Sequence, residues 1–242
     1  MWINIKQFLL ELLLPSFCLG CNKEGNYLCQ DCKSTLEISE YNYCLCNKNP
    51  LRLFVGNRRG KCSRCQDKKL SGLYFALPYK EKSLTRKLIR QFKYEPYIKN
   101  LAEVLAGLLI EHFVLTGNNT QDIWQNSALI AVPLDKGKLK SRGYNQAEEL
   151  AKELSKILEI SLISKNLVKT RKTLPQIELS AKEREENLKN AFLVEKAAEI
   201  KDKKIFLVDD VYTTGATMEE CARIIKEAGA KTVWGISIAR EG

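Results

Sequence analysis

Long apolar runs are missing from this chain. None approaches the roughly 20 residues that a bilayer-spanning helix needs, so no membrane span is expected. The greasiest stretch, Phe8–Leu14, is interrupted by Glu11 and stopped by Pro15. It has one lysine before it and no small-residue cleavage site after it, so it reads as a packed amphipathic helix, not a signal peptide. The expectation is therefore a cytoplasmic protein. Histidine is nearly missing too: His112 is the only one, and with no second to pair with it carries no assigned role. No Gly-Lys-Ser/Thr ending is found where a Walker loop would need one, and the three-glycine dinucleotide spacing is also absent. Acidic charge is in deficit, with 29 Asp and Glu against 39 Lys and Arg, a net charge of +10. That balance favours an anionic partner (nucleotide, nucleic acid or membrane surface), with a merely soluble basic protein as the alternative. The positive charge is spread rather than blocked, which weakens the case for a polybasic tail.

Cysteine is plentiful. Eight of the nine lie between residues 18 and 65 in close pairs: Cys18/Cys21, Cys29/Cys32, Cys44/Cys46 and Cys62/Cys65. A Cys-x-x-Cys step folds as a knuckle that aims two thiolates at one metal, and two knuckles complete a tetrahedral Zn²⁺ shell. Disulfides are the rival reading, disfavoured in a reducing cytosol. The simplest assignment gives one Zn²⁺ to the first four cysteines and a second to the last four, with interleaved pairing still open. Cys44/Cys46 is one residue short of the usual step, so one zinc or two remains open. Four thiolates leave no place for water, so such sites are structural. Basic residues surround them, among them Lys33, Lys48, Arg52, Arg58, Arg59, Lys61, Arg64, Lys68 and Lys69. They form either a nucleic-acid surface or a solvated one. Cys221 falls on an apolar helix face and reads as core.

Composition changes after Lys69, which sets an expected boundary: residues 1–69, an N-terminal helix and double zinc ribbon, then residues 70–242. In the second part, short buried-strand runs at 73–79, 127–133, 167–169, 191–194, 205–208 and 232–238 alternate with helical patterns. Those helices include a basic one over 82–92 and an amphipathic one over 98–113. This alternation implies an α/β fold, an open and mainly parallel sheet flanked by helices, with ligand loops at the strands' carboxyl ends. The polar stretch from Thr170 to Leu188, with a Ser180/Glu183 capping box, suggests a lid.

The stretch Lys204–Thr217 organises the rest. Ile205–Val208 is a buried strand, Asp209 and Asp210 end it, and Thr213, Thr214, Gly215, Ala216 and Thr217 lead into a helix. Successive backbone N–H groups at a helix N-terminus form an anion nest. The threonine hydroxyls can donate to phosphate oxygens, and the two carboxylates can accept from a sugar diol or help hold Mg²⁺. Phosphate beside a diol means a phosphorylated ribose. An ordinary strand–helix turn with an acidic edge is the bland alternative. Upstream, Arg142 in a glycine-containing loop offers a bidentate fork to a diphosphate, and Asn145 can cap the helix that follows.

The acidic loop resembles the signature of type I phosphoribosyltransferases, which bind phosphoribosyl diphosphate (PRPP). The whole chain resembles the ComF family, also described as GntX-like or amidophosphoribosyltransferase-like competence proteins. The likeness rests on the cysteine ribbon, Leu88–Tyr94, Val132–Leu134, Arg142–Gln146, Lys169–Thr173 with Gln176, Arg184, Asn187, Ala191 and Phe192, and the Asp-Asp loop. It implies a type I phosphoribosyltransferase fold with a zinc ribbon, and a link to natural transformation, in which single-stranded DNA enters the cytoplasm. By that resemblance Asp209 and Asp210 would hold the ribose diol, and Thr213–Thr217 the 5′-phosphate. Arg142 would face the diphosphate, with Arg171 and Lys172 neutralising it as it leaves. Mg²⁺ would be held mostly through the substrate. Three readings stay open: an active Mg²⁺-dependent phosphoribosyltransferase, a single-stranded-DNA-binding protein of the uptake machinery without turnover, and a PRPP-sensing regulator.

Overall fold

A computed structural model describes residues 15–54, 60–95, 97–171 and 187–241. The expected helix over Phe8–Leu14 lies outside the described residues, as do Arg58, Arg59, Lys172, Gln176, the Ser180/Glu183 box and Arg184.

The first cysteine group contains an isolated bridge between Phe17 and Glu24 and a short helix, α1 (Gln30–Ser34), capped by the Cys29 sulfur. The second carries an antiparallel hairpin of β1 (Asn42–Tyr43) and β2 (Arg52–Leu53), then a 3-10 turn at Ser63–Cys65. Next come β3 (Leu73–Pro78), α2 (Leu84–Lys93), α3 (Leu101–Leu115), α4 (Gln121–Trp124), β4 (Ser127–Ala131), α5 (Lys136–Arg142) and α6 (Gln146–Leu158). The chain continues through β5 (Ser161–Leu162), the antiparallel pair β6 (Leu167–Lys169) and β7 (Phe192–Val194), β8 (Lys204–Tyr212), α7 (Ala216–Glu227) and β9 (Thr232–Arg240).

Five strands form one parallel sheet in the order β3-β9-β8-β4-β5. Its centre needs strands that are apolar on both faces. β8 meets that need: Ile205 and Leu207 join the core under α7, while Phe206 and Val208 join the core under α2, α3 and α6. Helix α7 contributes Met218, Cys221, Ala222 and Ile225 to the first core, so Cys221 is core as expected.

Two helices depart from the sequence pattern. The expected amphipathic helix over 98–113 is α3, which buries residues on more than one side, among them Leu101, Leu105, Leu108, Leu109, His112 and Phe113. The N-terminal segment packs on α3 near its C-terminal end and beside β3, where the Ser39 amide donates to the Ala76 carbonyl at 2.7 Å. Lys33 Nζ lies 2.6 Å from Glu111, and His112 Nδ1 lies 2.7 Å from the Ser39 carbonyl. Burial pushes the His112 imidazole down to about 4, so it is a neutral core residue. The stretch around 136–142 was expected as loop, but it forms α5. Its ends are set by the Asp135 carboxylate, which accepts from the Gly137 and Lys138 amides, and by Gly143 in the left-handed region at φ 78°.

Candidate active-site cleft and cysteine clusters

β8 is longer than its neighbour. Lys204–Val208 pairs with β4, and Asp209–Tyr212 runs on beside β9 alone. The acidic pair therefore emerges where β4 has ended. From here β4 connects outward to β5 on one side, and β8 to β9 on the other. Such a reversal opens a crevice at the carboxyl edge of a parallel sheet.

Asp210 is buried at 7% exposure and pairs with Lys93 of α2, Nζ to Oδ1 2.8 Å. Its other Oδ1 contact accepts from the Val211 amide at 2.7 Å, and Asp209 Oδ1 accepts from the Asp210 amide at 2.8 Å. Desolvation, then the neighbouring Asp210 charge, pushes the Asp209 carboxyl up to about 7, against the pull of Lys93. Burial acts to lower the Lys93 ammonium, but Asp210 outweighs it and raises the group overall. One carboxylate is thus held by an ion pair, and the other is pushed toward its neutral form by burial and by its neighbour's charge.

The chain then turns through Thr213 and Thr214 into Gly215, which precedes α7 with φ 79°. Only glycine fits here, since a Cβ would also collide with the ring of Tyr212 packed beneath it. The first-turn amides of α7 face outward from a twelve-residue helix, whose dipole favours an anion.

These parts share one cleft of about 560 Å³. Asp209, Asp210, Thr213, Thr214, Gly215, Ala216, Thr217 and Arg142 all line it. Arg142 also donates to Gln146 Oε1 at 2.6 Å and sits 5.6 Å from the centre of the Tyr94 ring. Arg171 is not on the wall: its Nη2 donates to the Asn187 and Lys189 carbonyls, at 3.0 and 2.6 Å. The walls instead bring in cations that the sequence reading had not assigned to the site: Arg86, Lys93, Lys138 and Lys169. The signal for Lys93 was available. It follows Phe92, the last of the buried positions Thr85, Leu88, Ile89 and Phe92 of α2, so it sits at the edge of the buried face.

Residues 139–240 match the family model for the phosphoribosyl transferase domain. Competence protein F of Haemophilus influenzae is 36% identical over 155 residues, covering 63% of this chain and 67% of that relative. The chain belongs to the ComF family of the type I phosphoribosyltransferase superfamily. DNA utilization protein YhgH of Escherichia coli (strain K12) is 35% identical over 146 residues, 60% of this chain and 63% of the relative. Competence protein ComFC of Streptococcus pneumoniae is 28% identical over 239 residues, 97% of each chain.

This ComF-family chain gathers its N-terminal cysteines as two sequential quartets, Cys18/Cys21/Cys29/Cys32 and Cys44/Cys46/Cys62/Cys65, each with all sulfurs within 4.8 Å of one another. The interleaved alternative is thereby excluded. A tetrahedron with Zn–S bonds of about 2.3 Å has edges of about 3.8 Å. The Cys21–Cys29 and Cys46–Cys62 sulfurs are 3.6 Å apart and Cys62–Cys65 3.8 Å, so both quartets fit the ion. The short Cys44/Cys46 step is accommodated because Cys44 sits on the hairpin, its sulfur accepting from the Leu51 amide at 3.1 Å. Backbone amides also point at Cys18 and Cys65, as expected around metal-bound thiolates. Against the cost of burial, amides of Cys29, Cys21 and Gly20 pull the Cys18 thiol down to about 6. Much of the surrounding basic fringe is engaged internally: Lys33 with Glu111, Arg64 with the Asn49 carbonyl, and Lys61 with the carbonyls of Gln66 and Lys68. Among the described residues no helix is long and apolar enough to cross a membrane.

Proposed function

We propose that the cleft binds PRPP with Mg²⁺ and that the chain is a phosphoribosyltransferase-type protein acting on incoming DNA or its nucleotides in the cytoplasm. One observation carries this reading: two acidic side chains and an amide-rich, hydroxyl-rich helix start converge on a single cleft at the switch point of a parallel sheet. Asp209 and Asp210 take the ribose hydroxyls. The amides and hydroxyls of Thr213–Thr217 take the 5′-phosphate. Arg142, Lys138 and Lys169 supply positive charge for the diphosphate. Arg171 is assigned a tethering role, since its guanidinium ties Asn187 and Lys189 to the end of β6. Lys172 remains a proposed diphosphate partner. Mg²⁺, held through substrate oxygens with help from the acidic pair, supplies charge neutralisation. Each cysteine quartet holds one structural Zn²⁺. The expected boundary near Lys69 is proposed as a change of architecture within one packed unit, because Cys44, Leu45, Leu53, Cys65 and Leu70 share a core with the sheet.

The relatives' names, competence and DNA utilization, support the cellular setting. A second reading, single-stranded DNA lying across the cleft mouth, is favoured by Arg86 and the 51%-exposed Tyr94 beside Arg142. One assay separates the readings: diphosphate release from Mg²⁺·PRPP in the presence of free bases, nucleotides or single-stranded DNA. Release with one acceptor class is the outcome expected of an enzyme. PRPP binding without release from any of them assigns the chain to sensing or DNA handling.

A further inference from the structure

The second cysteine quartet and the candidate phosphate loop are far apart in sequence and in direct contact in the fold. Asn47, the residue after Cys46, donates from Nδ2 to the Thr214 carbonyl at 2.8 Å, a link across 167 positions. Three further contacts hold the same neighbourhood. Arg240, at the end of β9, donates from Nη1 to the Cys44 carbonyl at 2.8 Å and from Nη2 to the Cys46 carbonyl. Glu219, in the first turn of α7, accepts from the Lys69 and Leu70 amides at 2.6 and 3.2 Å. Lys68 Nζ lies 3.4 Å from the hydroxyl of Tyr212, whose ring supports Gly215. The loop is thus tied at Thr214 to Asn47, and the strand end and helix start that flank it are tied to Cys44, Cys46, Lys68, Lys69 and Leu70.

Peptide geometry gives the Asn47 contact its consequence. In a trans peptide the C=O and the following N–H point in opposite directions. Holding the Thr214 carbonyl toward Asn47 turns the Gly215 N–H away from Asn47; Gly215 lines the cleft and Asn47 does not. An anion nest binds more tightly when its amides already face the ligand, because no ordering cost is left to meet on binding.

We propose that Asn47 is a positioning residue: seated by the second cysteine quartet, its side-chain amide sets the Thr214–Gly215 peptide so that the loop is ready for phosphate. The binding half of this statement rests on the PRPP reading above. The conformational half does not.

The test compares the full-length parent chain with Asn47→Ala and Asn47→Gln, the latter keeping the amide donor on a longer arm. Amide hydrogen exchange over Thr213–Met218 is measured without ligand, Mg²⁺·PRPP affinity by calorimetry, and metal content and melting temperature as controls. A single neutral hydrogen bond supports an effect of roughly two- to tenfold. The expected result is faster exchange and roughly two- to tenfold weaker binding in Asn47→Ala, partial recovery in Asn47→Gln, and unchanged metal content and melting temperature. Parent-like exchange in Asn47→Ala, or identical behaviour of the two variants, overturns the proposal. If the parent chain binds no PRPP, the PRPP reading fails and the exchange arm alone decides the role of Asn47.

Discussion

At the scale of the residue, the cleft is defined by how its charges are compensated. Asp210 has Lys93 in direct contact, whereas for Asp209 burial and the neighbouring Asp210 charge outweigh the pull of Lys93 and of the Asp210 amide, and its carboxyl is pushed up to about 7. A carboxyl raised in the folded chain above its unfolded value of 3.8 stabilises the fold fully below pH 4. That contribution is lost as pH rises through about 7. Asp209→Asn should therefore gain stability relative to the parent at pH 8 and little at pH 4. The gain is about 1–2 kcal/mol after allowing for partial solvent access, or roughly 2–6 °C in melting temperature. Thermal melts of both chains at the two pH values check this. A variant no better than the parent at pH 8 would show that the carboxyl is not under strain. The same substitution removes a charged acceptor from the proposed diol site, so stability gained and ligand lost in one variant is the signature of a functional carboxylate. The acidic pair was legible in the sequence because it closes the apolar run Ile205–Val208 ahead of Thr213–Thr217, although the strand does not end there as expected: β8 runs on to Tyr212 beside β9. Lys93 could be read from its place after the buried face of α2, but Lys169 could not, because at a strand end a side chain's direction depends on the neighbouring element. Arg171 follows Lys169 by two positions, yet it turns to backbone carbonyls just after Thr170 has left β6.

At the scale of the element, what could be read in advance tracked apolar period. β8 and α7 announce themselves because both faces, or one clear face, must be buried. Helix α5 did not: Leu139 is its one large apolar residue and is 42% exposed, so nothing in Lys136–Arg142 repeats toward a core. The strand β5 is two residues long at the sheet's edge, too short to carry a pattern. The cysteine modules are the opposite case. Their spacing was visible, but the partition of Cys44/Cys46 became clear only from the hairpin that places them beside Cys62 and Cys65. If each quartet holds Zn²⁺, the metal supplies the folding energy that such short elements cannot. Chelation of the purified chain should release about two equivalents of zinc and expose amides across residues 18–65 to exchange. The second quartet should unfold at higher chelator concentration, because Leu45, Leu53 and Leu70 tie it into the main core. Segments that remain protected after all metal has left would contradict a metal-dependent fold.

At the scale of the whole molecule, the net charge of +10 acquires a location. Part of it is engaged inside the cysteine modules, and part lines the walls of the cleft, where Arg86, Lys93, Lys138, Arg142 and Lys169 surround the acidic pair. A cleft with this mixture suits a ligand that carries several phosphates and a sugar diol, and the ComF-family membership is consistent with it. The fold class was legible because alternating strands and helices permit few topologies. The joining of the cysteine region to the phosphate loop was not, because no periodicity encodes a contact between Asn47 and Thr214. Calorimetric titration of the full chain with Mg²⁺·PRPP, run beside the Asp209→Asn/Asp210→Asn double variant, decides whether the cleft is a PRPP site. Saturable binding at one site per chain is expected, weakened by roughly a hundredfold or more in the double variant. Absence of binding by the parent chain, or equal affinity in the two, would contradict it.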